Sequence, residues 1–135
     1  MTPEQLEACI AASETRVAKA VFPFDTNHYD TLFGGSALQW MDEVAFIAAT
    51  RFCRQRLMTV SSDRIDFKHA IPAGSLVELI AKVAQVGNTS LKVSVEVYVE
   101  GMYSSGREHA ISGVFTLVAI DEQRKPIAVQ PALAV

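Results

Sequence analysis

The plainest pattern in the chain is an alternation. Leu91, Val93, Val95, Val97 and Val99 are separated by Lys92, Ser94, Glu96 and Tyr98, a period of two that predicts a strand with one buried face. Residues 57–68 alternate more loosely around Val60, Ile65 and Phe67, and residues 76–86 and 109–120 read as two further strands. Turn residues punctuate them: Pro72-Ala73-Gly74, Gly87-Asn88, a loop over 101–106, and Asp121-Glu122-Gln123. Earlier in the chain, Val17, Val21 and Phe22 predict a strand over 16–24 that Pro23 ends or confines to an edge.

Residues 35–54 follow a different period. At about 100° per residue, Ala37, Met41, Val44, Ala48 and Phe52 fall on one side of a helix, with Gln39, Glu43, Thr50 and Arg54 on the other. A shorter helix starts at the chain's beginning, where Thr2 can cap, Pro3 suits the first position and Gln5 completes a capping box. It runs to about Ser13. The order is helix, strand, long helix, four strands. Short connections favour antiparallel pairing. One helix and one sheet hide each other best when the sheet curls around the helix. The expected class is α+β, an antiparallel sheet wrapped around one long central helix. The expected organisation is a single domain over 1–135, with an N-terminal helix in 1–14 and a flexible tail at 128–135, where Pro131 stands.

Composition narrows the function. Of 135 residues half are hydrophobic and a fifth are charged, with a net charge of −3. No basic stripe offers a nucleic acid a partner. The longest apolar run, near 44–49, is far too short to span a bilayer, and no signal-peptide core opens the chain. The reading is a soluble, cytoplasmic protein without membrane insertion. Cys9 and Cys53 do not make a disulfide scaffold. His28, His69 and His109 lie far apart, without a metal-ligand spacing, so no metal is expected.

The candidate chemistry gathers at the long helix. Asp42 lies beside Leu38, Ala45, Phe46 and Ala49, at the border of the apolar arc. It is either a boundary residue that reaches water or pairs with an arginine, or a working carboxylate facing a cleft. Gly34-Gly35 opens the helix, where unpaired N–H groups carry partial positive charge. Glycines there let a phosphate or a carbonyl oxygen approach, although plain turn chemistry also accounts for them. Asn27 can hold a carbonyl or a water, or close an Asx-turn on its own loop. His28 is a candidate base in the same loop.

These residues carry a resemblance. The run Asn27-His28-Tyr29-Asp30-Thr31-Leu32-Phe33-Gly34-Gly35, followed by Trp40-Met41-Asp42-Glu43, resembles the signature of the hotdog-fold acyl-CoA thioesterases, in the branch of cytosolic acyl-CoA hydrolases. Thr59-Val60-Ser61-Ser62-Asp63-Arg64-Ile65-Asp66-Phe67 is similar to that family's strand after the helix. Ile71-Pro72-Ala73-Gly74 and Gly87-Asn88-Thr89-Ser90-Leu91 are similar to its corners. The run from Phe115 to Asp121 with Lys125-Pro126 is similar to its last strand and exit. The likeness spans about residues 15–129.

The resemblance implies a hotdog fold and an acyl-CoA substrate cleaved to free acid and coenzyme A. It implies no cofactor beyond the coenzyme A of the substrate, and a homodimer at minimum that assembles into tetramers or hexamers. It implies Asp42 as catalytic carboxylate, acting as general base or as nucleophile. Asn27 would be its polar partner from the opposite subunit, and Gly34 and Gly35, with Phe33 beside them, would face the thioester. Thr59 and Ser61 would line the site from the neighbouring strand, and Thr89 and Ser90 would meet the coenzyme A arm. Lys68, Lys92 and Arg64 are candidates for its phosphates, and Phe46 and Leu38 for the acyl surface. Two departures stand out: Asp30, where many relatives have glycine, and Ser75, where relatives often have aspartate. The alternatives are a non-catalytic acyl-CoA-binding module and a hotdog dehydratase, which needs a histidine at the site.

Overall fold

In a computed structural model that describes residues 1–132, two helices and five strands follow one another as α1 (Pro3–Ser13), β1 (Thr15–Ala20), α2 (Gly34–Cys53), β2 (Arg56–Phe67), β3 (Ser75–Val86), β4 (Ser90–Gly101) and β5 (Glu108–Ile120). The strands form one antiparallel sheet in the order β1-β3-β4-β5-β2. It packs around α2, which lies mainly against β3 and β4. This is the α+β arrangement expected from the element order, and it agrees with the hotdog fold that the resemblance implies.

The helix phase is as the spacing requires: Ala37, Met41, Val44, Ala48 and Phe52 are all buried. They meet the inward residues of the sheet, among them Leu79, Ala81, Leu91, Val93, Val95, Val97 and Leu117. Each large apolar side chain so buried contributes roughly 1.5–3 kcal/mol. Ala45, Ala48 and Ala49 have no exposed surface, and their small side chains let the helix axis settle close to the strands. The capping box at α1 is present, with Thr2 Oγ1 accepting from Gln5 N–H and Gln5 Oε1 accepting from Thr2 N–H.

The strands β2 to β5 shift by one or two residues from the sequence-based expectation, and two boundaries have a clear physical cause. β1 stops at Ala20, because Pro23, with fixed φ and no N–H, opens a short 3-10 turn at Pro23–Asp25. α2 starts one residue earlier, at Gly34, and ends in Arg54, whose left-handed φ of 52° closes it. Of the tail expected over 128–135, residues 133–135 lie outside the described residues; before them Val129 N–H donates to Asn88 C=O, and Ala132 N–H to Phe52 C=O.

β2 is the long edge of the sheet. Its outer side has no partner strand, and it exposes Met58, Val60 and Phe67. Two register shifts break its pairing with β5, between Thr59 and Ser61 and between Asp63 and Asp66. Arg64 takes a φ of 54° in the second, as bulged strands do.

Two outcomes follow from this packing. Phe52→Ala removes the largest fully buried side chain of the helix and should cost about 3–5 kcal/mol in urea unfolding. Burial pushes the Cys53 thiol up from its usual 9.0, against a smaller downward pull from the Gln55 backbone N–H. The unfolded thiol therefore ionises first. The stability that Cys53 contributes is whole below pH 9 and is lost as pH rises past it. Native protein should resist iodoacetamide at Cys53 at pH 8 and be labelled once unfolded, as peptide mass mapping would show.

Candidate active site

The start of α2 is open in an unusual way. Phe33 occupies the cap position and makes no side-chain capping bond, and no acidic residue sits in the first turn. The N–H groups of Gly34 and Gly35 thus face outward with the helix dipole uncompensated. Neither glycine has a positive φ. A Cβ on Gly35 would meet nothing within 4 Å, and one on Gly34 only Phe67 Cζ at 3.8 Å. Nothing in the chain's own geometry demands glycine here.

Asn27 precedes this start in a tight loop. Its Oδ1 accepts from Tyr29 N–H at 2.9 Å, Thr31 N–H at 3.3 Å and Thr31 Oγ1 at 3.1 Å. The Asx-turn is therefore present. It fixes the amide plane, and the two Nδ2 protons remain as the donors that can meet a ligand. Asp30 stands at φ 60°, a left-handed conformation that glycine takes freely and aspartate tolerates. His28 is exposed, its ring tilted against that of Tyr29 with centroids 4.0 Å apart.

Asp42 lies two turns further along α2, half-buried at the border between fully buried Ala45 and Ala49 and exposed Phe46. Thr59 Oγ1 donates to Asp42 Oδ1 at 2.8 Å. No arginine or lysine pairs with this carboxylate among the described residues. With Glu43, Phe46 and Ile47 the two line an open depression. Thr59 reaches Asp42 because it sits opposite inward-facing Leu117. The extra residue at Val60 then turns Ser61 to the other face, opposite Thr116. Thr59 and Ser61 are therefore not brought together.

Thr89 and Ser90 stand elsewhere. Leu91 pairs with Leu117, and Leu117 with Thr59, so the Thr89-Ser90 corner lies two strands from Thr59, across β5. That is about 10 Å. Of the cationic candidates, Lys68 donates to His109 Nδ1 at 3.2 Å. Arg64 is well exposed, 4.0 Å from Asp63, and Lys92 is exposed on the outer face.

The structure adds two features that alternation and motif spacing could not supply. The first is a histidine–carboxylate pair, His109 Nε2 with Glu96, on the outer face of the sheet beside Lys68 and Tyr98. The pairing of Tyr98 with His109 puts it there. The second is a half-enclosed cavity of about 240 Å³ beneath the first turn of α2, walled by Leu32, Ala37, Phe67, Ile71 and Ile111. Among the described residues no cluster of three or more His, Cys, Asp or Glu side chains could hold a metal.

The candidate residues thus fall into two groups, one at the helix start with Asn27 and the cavity, the other at Asp42 and Thr59. Eight residues of helix, about 12 Å, separate Gly34 from Asp42.

Comparison with known proteins gives this arrangement a context. The profile of the thioesterase superfamily matches residues 29–105. The uncharacterized acyl-CoA thioester hydrolase YkhA of Bacillus subtilis is 40% identical over 118 residues, 86% of this chain and 69% of its own length. The acyl-CoA hydrolase of Staphylococcus aureus, solved with butyryl coenzyme A, coenzyme A and coenzyme A disulfide, superposes with a TM-score of 0.85 at 31% identity, over 90% of this chain and 74% of that one. It has also been solved as single alanine variants of a threonine, an aspartate and an asparagine. The hexameric thioesterase y2039 of Yersinia pestis superposes with a TM-score of 0.78 at 31% identity, over 84% and 93%.

The loop geometry yields its own test. Asn27→Ala removes all three side-chain acceptor bonds, so hydrogen exchange at the Tyr29 and Thr31 amides should accelerate. Asn27→Asp keeps the acceptor and should leave that exchange close to the parent's, while losing the two Nδ2 donors.

Proposed function

Because the chain belongs to the thioesterase superfamily, we propose that it hydrolyses the thioester of an acyl-CoA, with Asp42 as general base and the start of α2 as the carbonyl's anchor. The observation that carries this reading is the hydrogen bond from Thr59 to Asp42: a carboxylate with no cation beside it, held by one oxygen on an apolar rim. The second oxygen is left to take a proton from water. The water oxygen then bonds to the thioester carbon, whose oxygen gathers charge against the N–H groups of Gly34 and Gly35. The carbon–sulfur bond breaks, and the electron pair leaves with the thiolate of coenzyme A. The donors of Asn27 orient the carbonyl or the water. Water and substrate suffice for this chemistry.

One carbonyl cannot touch both half-sites of one chain, which lie about 12 Å apart. The site is therefore completed by a second copy, with the helix start of one protomer meeting Asp42 of its partner. The unpaired edge of β2, with Met58 and Val60 exposed beside Thr59, is the surface that brings the copies together. A homodimer is then the smallest working unit, and higher assemblies like the hexamer of the Yersinia pestis protein are built from it. The asparagine, aspartate and threonine varied in the Staphylococcus aureus hydrolase are the residue types that carry the reading here. No helix among the described residues is long and apolar enough to cross a membrane.

Asp42→Asn should lower kcat by about 10²–10⁴-fold in a thiol-release assay with the fold intact, and Thr59→Val by about 10-fold or more, the scale of a hydrogen bond to a charged group. Parent-level turnover in Asp42→Asn would remove Asp42 from the catalytic role; no thiol release from the parent itself would leave the protein as an acyl-CoA binder only. In a single turnover in ¹⁸O-water, label should enter the product acid and not the Asp42 carboxylate. Label in Asp42 would show direct attack instead.

A further inference from the structure

The second bulge of β2 decides which side chain faces the start of α2. Asp63 pairs with Val114, yet Asp66 pairs with Ser112 and Phe67 with Ile111, so Arg64 and Ile65 together stand opposite Gly113. Had the register of Asp63 continued, Asp66 would pair with Ile111, which is buried on the concave face, and Arg64 would turn inward with Gly113. The extra residue exchanges the faces. Ile65 turns in and packs against the core, while Asp66 turns out, exposed opposite Ser112. Phe67 turns in, its Cζ 3.8 Å from a Cβ built on Gly34. Gly113 makes room for this exchange. A Cβ there would stand 2.5 Å from Ile65 Cδ1 and 3.0 Å from Met41 Cε. Ile65 and the fully buried Met41 thus share the space that the missing side chain leaves.

We propose that Gly113 is a positioning residue: through Ile65 it seats the bulge that sets Phe67 beside the helix start and turns Asp66 away from it. The chain's own carboxylate then cannot cap the N–H groups that take the thioester carbonyl. The inference rests on the acyl-CoA reading above. A carboxylate beside Gly34 and Gly35 is drawn to their unpaired N–H groups and to the positive end of the helix dipole. It would hold the place that the carbonyl oxygen needs. An apolar ring at 67 offers those groups no acceptor, and the first turn of α2 has neither a side-chain cap nor an acidic residue of its own. The ring needs no bond to substrate to do this. Gly113 lies on β5 and acts only through what it lets β2 present.

The test reads thiol release from acyl-CoAs, acetyl to palmitoyl, and hydrogen exchange at the Gly35 and Ser36 amides. Phe67→Asp supplies the carboxylate that the bulge turns away. Its kcat/KM should fall about tenfold or more below that of Phe67→Leu, and exchange at the two amides should slow relative to Phe67→Leu. Gly113→Ala should lower kcat/KM about threefold or more. Adding Ile65→Val, which removes the clashing Cδ1, should recover most of that loss. Adding Asp66→Ala instead should also recover it, while Asp66→Ala alone stays at the parent's level. Gly113→Ala at the parent's rate would overturn the assignment. So would a loss that Ile65→Val restores and Asp66→Ala does not, because the glycine would then be a matter of packing alone. If Gly113→Ala does not fold, the Phe67 pair decides: equal turnover and equal exchange in Phe67→Asp and Phe67→Leu would end the proposal. No thiol release from the parent would sink the hydrolase reading itself, and the exchange comparison would still show whether the helix start is kept clear.

Discussion

Everything in this molecule depends on the burial of one side of α2 in the concave face of the sheet. Five positions spaced three and four apart supply the helix side of that contact, and the inward half of β3, β4 and β5 supplies the other. Burial on this scale fixes the rotation of the helix about its axis, because any other phase would put Glu43 or Gln39 into an apolar core. The phase in turn fixes where Asp42 points. It lies at the edge of the buried stripe, turned toward β2, within reach of one hydroxyl. The proposed base is thus placed by the packing, while Asn27 is placed by its own loop.

The same contact underlies the proposal that one chain makes only half of each site. The helix has one start and one Asp42, about 12 Å apart, and a straight helix cannot bring them to a common carbonyl. A long helix held in a shallow sheet solves the problem by presenting each half at a margin. The start of α2 meets solvent where glycines leave its N–H groups bare, and Asp42 meets it beside an unpaired strand edge.

Much of this is readable from the sequence for plain reasons. The alternation of 91–99 reports a half-buried strand because the side-chain period of a strand is two. The phase of α2 is legible because its apolar positions recur on one face. The border position of Asp42 follows from that phase alone. What is not legible is what depends on register and on local competition for hydrogen bonds. Nothing in the sequence marks Val60 as an extra residue, yet that bulge separates Ser61 from Thr59 by turning them to opposite faces. Asn27 could have pointed its carbonyl oxygen anywhere, and it closes on Tyr29 and Thr31 because they are the nearest donors. Lys68 and His109 are 41 positions apart, and only the strand order makes them neighbours. The cavity is a volume left between α2, β5 and the segment after β2, and no local pattern encodes a volume.

The alanines at 45, 48 and 49 carry a further meaning. They hold α2 at the closest approach the strands allow, so the depth at which the helix rides is set by three methyl groups with no surface of their own. The carboxylate at 42 rides with it, while its hydroxyl partner rides on the sheet. Enlarging any of the three would lift one relative to the other and stretch the contact between them. The interior volume at these three positions and the length of the Thr59–Asp42 contact are therefore coupled, so a substitution that overpacks the core there also disturbs the proposed site.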